Sequence, residues 1–121
     1  MASKANFDPR SRWGDKLVND GFCIIPTRII KRWSAVKGLD TTDLALVANL
    51  AAFWWTSNSL PFPSTTTLAK NMGVSKRTVE RRIQKLVKMR LISRGKEVQA
   101  EDGPLTKQFD LSGLIKRFEA V

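Results

Sequence analysis

The chain has 121 residues, of which 42% are hydrophobic, so it is long enough for one domain with a real core. Its formal net charge of +10 favours a polyanionic partner, nucleic acid first and an anionic membrane surface second. Histidine is absent and Cys23 is the single cysteine, which excludes Ser-His-Asp and Cys-His catalysis as well as His-containing and four-cysteine zinc sites. With no glycine-rich phosphate loop either, we predict a protein that is not an enzyme and uses no cofactor, metal or small-molecule ligand.

Segments that would place the chain in or across a membrane are missing from the sequence. No apolar run approaches the roughly 20 residues that span a bilayer, and the N-terminus lacks the apolar core of a secretory signal. A lone cysteine cannot form an intrachain disulfide and fits a reducing cytoplasm. We therefore predict a cytoplasmic protein, with Cys23 as a small core residue of the apolar run 22–25.

Residues 1–20 are predicted to form a basic, partly ordered arm, which is either disordered or in contact with the minor groove or phosphates. Residues 22–25 follow as a short strand or an apolar lead-in. Pro26 suits the first turn of a short helix, and Gly38 suits its end. The predicted apolar stripe of that helix is Ile29, Ile30 and Trp33.

The next predicted helix, residues 42–57, is the central buried one. Thr41 or Thr42 caps it, and Asp43 in its first turn complements the helix dipole. Its body, LALVANLAAFWW, is apolar on most sides. Core packing is the expected role of the tryptophans, although adjacent Trp54 and Trp55 cannot face the same way, so one of them is expected at an interface.

Two short helices meeting at a glycine form the most informative stretch. The first is predicted to run from Ser64 to about Asn71 and to stop at Gly73, which takes positive φ without a Cβ penalty. Ser75 caps the second, predicted to extend to about Arg90. Apolar residues recur along both at helical spacing, and they form the small core of a steep helix-turn-helix corner. The predicted core of the corner is Leu68, Ala69, Val74, Val79 and Ile83, and the apolar stripe of the second helix continues through Leu86 and Val87.

The face of the second helix opposite its apolar stripe carries cations and hydrogen-bonding groups, which suit the edges of bases in a major groove. The predicted base-reading residues are Arg77, Thr78, Arg81, Gln84 and Lys85. Side chains at the starts and flanks of the two helices are predicted to bind phosphate. These are Ser64, Thr65, Thr66, Ser75, Lys76, Arg82 and Lys88. Alternatives stay open: a solvated face for the cations, capping alone for Ser64 to Thr66, and an internal ion pair for Arg82.

Positive charge is concentrated in this part of the chain. Residues 64–95 hold nine cationic residues and a single anionic one, Glu80, which is +8 of the total of +10. A solvated surface without a partner would mix the two signs. One-sided charge is what a phosphate-binding footprint requires.

A β-hairpin is predicted next, with strands at 92–96 and 106–111 and a turn at Asp102-Gly103-Pro104. Arg94, Lys96 and Lys107 are predicted to touch the flanking backbone or minor groove, whereas Glu101 and Asp102 at the tip would repel phosphate. Ser112 begins a final amphipathic helix, which either packs on its own domain or dimerises. The predicted organisation is an arm (1–20), a domain (21–111) and a C-terminal helix (112–121).

The stretch 25–95 resembles the winged helix-turn-helix family of plasmid and phage replication proteins and small bacterial regulators. The matching phrase is FPS…LA…GVS.RTV…I..L….LI, preceded by Ile25-Pro26 and the buried helix 44–55. The run 109–115 also resembles the strand-to-helix exit of replication-type members. The resemblance implies a mainly α fold with a small β-hairpin wing, and duplex DNA binding through the helix that starts at Ser75. It also implies a bacterial cytoplasmic protein that is nucleoid-associated through DNA binding. Met89-Arg90 departs from the family, which often has a turn ending in Gly there.

Three functions follow from these features. The first is a sequence-specific regulator of transcription, a homodimer on an inverted repeat, because one domain reads few base pairs. The second is the DNA-binding domain of a plasmid, phage or mobile-element replication initiator or accessory protein, in which case the chain is an N-terminal piece of something longer. The third is a winged-helix module that binds protein instead of DNA.

Overall fold

A computed structural model describes residues 8–54 and 59–121. The helices are α1 (Pro9–Trp13), α2 (Asp15–Val18), α3 (Thr27–Lys31), α4 (Thr41–Ala52), α5 (Thr65–Met72), α6 (Lys76–Lys88) and α7 (Ser112–Glu119), with a 3-10 turn at Trp33–Ala35. Strands β1 (Ser93–Gln99) and β2 (Leu105–Asp110) pair antiparallel. The predicted class, mainly α with a β-hairpin after the helices, is confirmed. Helix α4 ends at Ala52 with Phe53 as its C-cap, earlier than the predicted 42–57 helix, and residues 55–58, which include Trp55, lie outside the described residues.

The N-terminal arm contains two short helices joined by polar contacts. Asp8 caps α1 by accepting the Arg10 N–H at 3.0 Å. The Arg10 guanidinium then reaches across to Asp15 at 3.1 Å and Asn19 at 2.8 Å. Of the residues in these two helices, only Val18 is buried. The described part of the arm, residues 8–20, is thus locally structured, but it contributes little to the core; residues 1–7 lie outside the described residues.

The apolar run 22–25 lies across the surface and is not a strand. Phe22 and Ile24 are 57% and 67% exposed, and only Ile25 packs partly against the core. The prediction that Cys23 is a core residue is therefore wrong, because its side chain is exposed. The reason is that Ile29, from the helix that follows, fills the core position at this end of the domain.

Helix α3 is shorter than predicted, and the chain continues through the 3-10 turn. Ile29 and Trp33 are buried as expected, but Ile30 is 48% exposed, since it lies beside the stripe and not on it. The Trp33 indole N–H donates to the Asp40 carbonyl at 2.9 Å. Its ring stacks on Phe118, with centroids 5.5 Å apart. Trp33 thereby joins the start of the domain to its last helix.

Helix α4 begins one residue earlier than predicted and has a different cap. Asp40, not Thr41 or Thr42, is the N-cap, and its carboxylate accepts the Asp43 N–H at 3.0 Å. The Asp43 carboxylate accepts the Asp40 N–H at 3.0 Å in return, which completes a capping box. Carboxylates are the stronger acceptors at a helix N-terminus, so they displace the threonines from this role. Fully buried Leu46 and Leu50 make α4 the centre of the core.

The hairpin and α7 close the domain. Strand β1 runs to Gln99, three residues beyond the predicted end, with an irregularity in pairing between Arg94 and Glu97. Helix α7 docks through the Leu114 N–H, which donates to the Leu91 carbonyl at 2.7 Å. Leu114 and Phe118 are buried in the common core. Of the two alternatives for the last helix, packing on its own domain is the one observed.

Candidate nucleic-acid interface

Helices α5 and α6 form the predicted corner, and each is capped by a serine. Ser64 Oγ accepts the Thr67 N–H and Ser75 Oγ accepts the Thr78 N–H, both at 3.1 Å. Gly73 between them has φ +69°, the left-handed conformation that glycine adopts without strain. Leu68, Ala69 and Val79 are buried where the two helices meet. The backbone thus holds α6 at a fixed angle on the surface of the domain.

The C-terminal end of α6 differs from the prediction. The helix ends at Lys88 instead of Arg90, because Arg90 takes φ +62°. The Leu91 N–H donates to the Leu86 carbonyl at 3.0 Å and the Arg90 N–H to the Val87 carbonyl at 2.9 Å, which is the Schellman arrangement. Arg90 stands where glycine is usual, so a residue with a Cβ adopts a left-handed backbone conformation that is unfavourable for it.

One face of α6 is open to solvent along its whole length. Arg77, Arg81, Gln84 and Lys88 are all exposed, and their spacing of i, i+4, i+7 and i+11 sets them in one stripe. We call these four residues the α6 stripe. Its three cations form no ion pair with a carboxylate of the described residues. The sequence prediction named all four but assigned Lys88 to phosphate, because it did not weigh which side of α6 faces α4.

Arg82 and Lys85 lie on another side of α6 and are held by the N-terminus of α4. Lys85 Nζ donates to Asp43 Oδ2 and Arg82 Nη1 to Asp40 Oδ2, both at 2.5 Å. Arg82 Nη1 is also 3.4 Å from Asp43 Oδ1. Lys85, predicted to read bases, is thus only 32% exposed and turned away from the α6 stripe. Arg82 makes the internal ion pair that was one of its two predicted roles.

The electrostatics of this cluster follow from its geometry. Asp43 is completely buried, whereas the side chain of Asp40 is 50% exposed. The Arg82 guanidinium, followed by the Asp43 N–H, lowers the pKa of Asp40 from 3.8 to about 2. The same bond raises the pKa of Arg82. Two partly exposed cations of the basic helix, Arg82 and Lys85, are therefore paired with carboxylates at the start of α4.

The start of α6 carries an exposed cation and two hydroxyls that contact each other. Lys76 is exposed. The Thr78 hydroxyl lies 3.0 Å from Ser75 Oγ, and Thr78 is partly buried. Both hydroxyls are therefore engaged within the first turn. The backbone N–H groups of that turn and Lys76 form the electropositive end of the helix.

The hairpin tip folds back onto the start of α5. Asp102 Oδ2 accepts hydrogen bonds from Ser64 Oγ at 2.5 Å and Thr67 Oγ1 at 2.8 Å. These two bonds, Ser64 first, lower the pKa of Asp102. Ser64 is buried under this contact, whereas Thr66 beside it is exposed and Thr65 is partly buried. The sequence prediction treated Asp102 as a charge that repels phosphate, since nothing local indicated a partner 38 residues away.

The three hairpin cations differ in accessibility. The Arg94 guanidinium lies over the Phe109 ring, 3.8 Å from its centroid, and donates to the Lys107 carbonyl at 2.6 Å. Burial lowers the pKa of Arg94, and the side chain braces the hairpin. Lys96 and Lys107 are exposed. The structure therefore leaves two of the three predicted hairpin contacts free.

Within the described ranges, no group of three or more acidic or cysteine side chains is arranged to hold a metal ion. In the same part of the chain, no helix is long and apolar enough to cross a membrane.

Comparison with known proteins identifies one region. Residues 37–92 match the family model described as a helix-turn-helix domain. The match begins just before the α4 capping box, includes α5 and α6, and ends where β1 begins. No curated protein matches the chain.

Proposed function

Because the chain carries a winged helix-turn-helix domain, a fold that suggests DNA binding, we propose that it recognises a specific duplex sequence by inserting α6 into the major groove. The observation that carries the proposal is the exposed, unpaired α6 stripe. Arginine can bond guanine O6 and N7 through both arms of its guanidinium, and glutamine can do the same with adenine. An α-helix about 10–12 Å across fits a groove about 12 Å wide.

The accessible side chains narrow the set of base-reading residues. Arg77, Arg81 and Gln84 are the proposed readers, and Lys88 extends their line. Lys85 and Thr78 are engaged within the domain, so we expect them to contribute less than the sequence alone predicted. For phosphate contact we propose the exposed polar side chains around this stripe. They are Thr66, Lys76, Lys96 and Lys107.

The test is selection of a preferred duplex from a random pool, followed by anisotropy titration at physiological salt. Arg77→Ala and Arg81→Ala should each cost about 1–3 kcal/mol, or about 5- to 150-fold in Kd. Arg81→Lys is the matched control, because it keeps the charge but loses the bidentate fork, so it should lose specificity more than affinity. Failure of every sequence to outcompete bulk DNA would refute the proposal.

Regulation of transcription is the process we propose, with a dimer on an inverted repeat. A second copy is supported by an apolar groove of about 240 Å³ lined by Ile24, Ile25, Trp54 and Ile115, in which Ile24 is 67% and Ile115 is 41% exposed. Two reading helices would double the length of the recognised site. Sedimentation with and without the selected duplex tests the dimer, and a monomer on a single half-site contradicts it.

A replication role is the second candidate, favoured by the exit from β2 into α7, which resembles replication-type members. Genome-wide mapping of bound sites separates the two, since clustered repeats at an origin differ from a single operator at a promoter. In either role we propose that the protein acts by binding and not by catalysis. A protein-binding module would instead keep its activity in Arg77→Ala and Arg81→Ala.

A further inference from the structure

A second basic surface lies between the start of α3 and the start of α4, away from the α6 stripe. Residues 28–37 contain four cations and no acidic residue. All four are exposed, and none forms an ion pair with a carboxylate in the described ranges. Crowded like charges repel one another unless an anionic partner neutralises them. We call these residues the α3 patch: Arg28, Lys31, Arg32 and Lys37.

The α3 patch is held rigidly in place. Trp33, in the middle of the segment, donates to the Asp40 carbonyl and stacks on Phe118. Val36 is 2% exposed. The Arg28 guanidinium donates to the Glu119 carbonyl at 3.3 Å, which ties this end of the patch to α7. A preformed charged surface binds without the ordering cost that a flexible basic tail must meet.

Contacts to α6 give the position of the segment 38–43, which directly follows Lys37 of the α3 patch, relative to the α6 stripe. Arg82 and Lys85 contact the start of α4, and the Met89 methyl lies 3.5 Å from where a Cβ on Gly38 would stand. Arg82, Lys85 and the C-cap residue Met89 lie about 100° around the helix from the stripe, at 3.6 residues per turn. The segment leading from the patch into α4 therefore runs beside α6.

If α6 lies in the major groove, the protein surface beside α6 faces a sugar–phosphate backbone of the duplex. The two sugar–phosphate backbones of the DNA border the major groove. A part of the protein that lies beside a helix in the groove therefore contacts one of these DNA backbones. Asp40 and Asp43 stand between the α3 patch and the α6 stripe, and both are paired with cations. Their pairing removes the repulsion that two free carboxylates would exert on phosphates there.

We propose that Lys31, Arg32 and Lys37 bind the phosphodiester backbone of the same duplex that receives α6, alongside the occupied groove. The inference rests on the proposed function and adds a second contact surface to it. Contacts to phosphate raise affinity and set the register on the duplex without reading sequence. Arg28 is left out of the test because it also holds α7.

The experiment measures the dependence of Kd on salt for the selected duplex and for bulk DNA. Each lost phosphate contact lowers the slope of log K against log [salt] by about 0.9, so the triple variant Lys31→Ala, Arg32→Ala, Lys37→Ala should lose about 2–3. Its preference for the selected duplex over bulk DNA should stay unchanged. The control Lys31→Arg, Arg32→Lys, Lys37→Arg keeps every charge and should keep the slope.

The outcomes are separable. Thermal melting of each variant shows that the domain is folded, since the altered side chains are exposed. A triple variant with an unchanged slope overturns the inference. The inference is also overturned if the triple variant keeps its slope and loses only the ability to hold a labelled duplex on an immobilised one. In that case the phosphates that the α3 patch binds would belong to a second DNA molecule. If the wild-type protein binds no DNA, the proposed function itself is refuted. If Arg81→Ala loses specificity but the triple variant keeps the wild-type salt slope, only the proposed role of the α3 patch is refuted.

Discussion

Replacing Asp43 by asparagine tests the ion-paired contact between α4 and α6, which we call the α4–α6 joint. The buried carboxylate accepts from Lys85 Nζ at 2.5 Å, Arg82 Nη1 at 3.4 Å and the Asp40 N–H at 3.0 Å. An amide has one oxygen acceptor and turns a donor toward the remaining cation or N–H. Asp43→Asn therefore loses the charge-assisted bonds and half of the capping box, while the fold of α4 remains possible.

The magnitude of this change follows from the burial of the three partners. Removing one member of a fully buried ion pair costs about 3–5 kcal/mol. The side chains of Arg82 and Lys85 are 27% and 32% exposed, so both can turn partly to water and recover some of that loss. We therefore expect Asp43→Asn to lower the free energy of unfolding by about 2–4 kcal/mol. For a chain of this length that is a drop in Tm of about 8–16 °C.

The assay is thermal and urea unfolding followed by tryptophan fluorescence and circular dichroism. Asp40→Asn serves as the comparison, because its carboxylate is half exposed and should contribute about 1 kcal/mol or less. Adding Lys85→Met to Asp43→Asn should restore part of the stability by removing the unpaired ammonium. A loss below about 0.5 kcal/mol for Asp43→Asn, or no coupling with Lys85, would refute this account of the joint.

Three further changes probe the backbone and the charges. Gly113→Ala places a Cβ well inside contact distance of the Arg90 carbonyl oxygen, so the free energy of unfolding should fall by about 1–3 kcal/mol or more. Thermal melting should show a lower Tm, and an unchanged Tm would mean that α7 docks differently. Arg90→Gly relieves the left-handed conformation and should stabilise by up to about 1 kcal/mol in urea titrations, whereas destabilisation would contradict the Schellman assignment. Asp40 has a folded pKa of about 2 against 3.8 unfolded, so its contribution is present above about pH 4 and is lost as pH falls toward 2. Acid unfolding curves should show this component in the wild type and not in Asp40→Asn.

Local features of the sequence were enough to predict much of the fold. The Ser64 and Ser75 caps and the Gly73 stop act within a few residues, so they could be read without tertiary information. The apolar spacing of Val79, Ile83 and Leu86 likewise indicates the buried side of α6. The exposure of the opposite side follows from the same periodicity, which is why Arg77 and Arg81 were found correctly on an open face.

Contacts between distant residues could not be predicted in this way. The Asp40 and Asp43 carboxylates lie about 40 positions from their cations, and Asp102 lies 38 from Ser64. Periodicity treats all sides of α6 outside the apolar stripe alike, so it could not separate Lys85, which faces α4, from Lys88, which faces solvent.

The sequence by itself determined the approximate positions of the helices from α3 to α7, where the corner turns and which part of the chain carries excess positive charge, because caps, glycines and apolar spacing act locally. It did not predict the two short helices of the arm. Only the tertiary structure decided which of those charges remain available. Packing α4 against α6 pairs Arg82 and Lys85 with carboxylates, and the hairpin holds the partly buried Arg94 over the Phe109 ring. Charge is a property of each residue, whereas its accessibility depends on what the folded chain brings beside it.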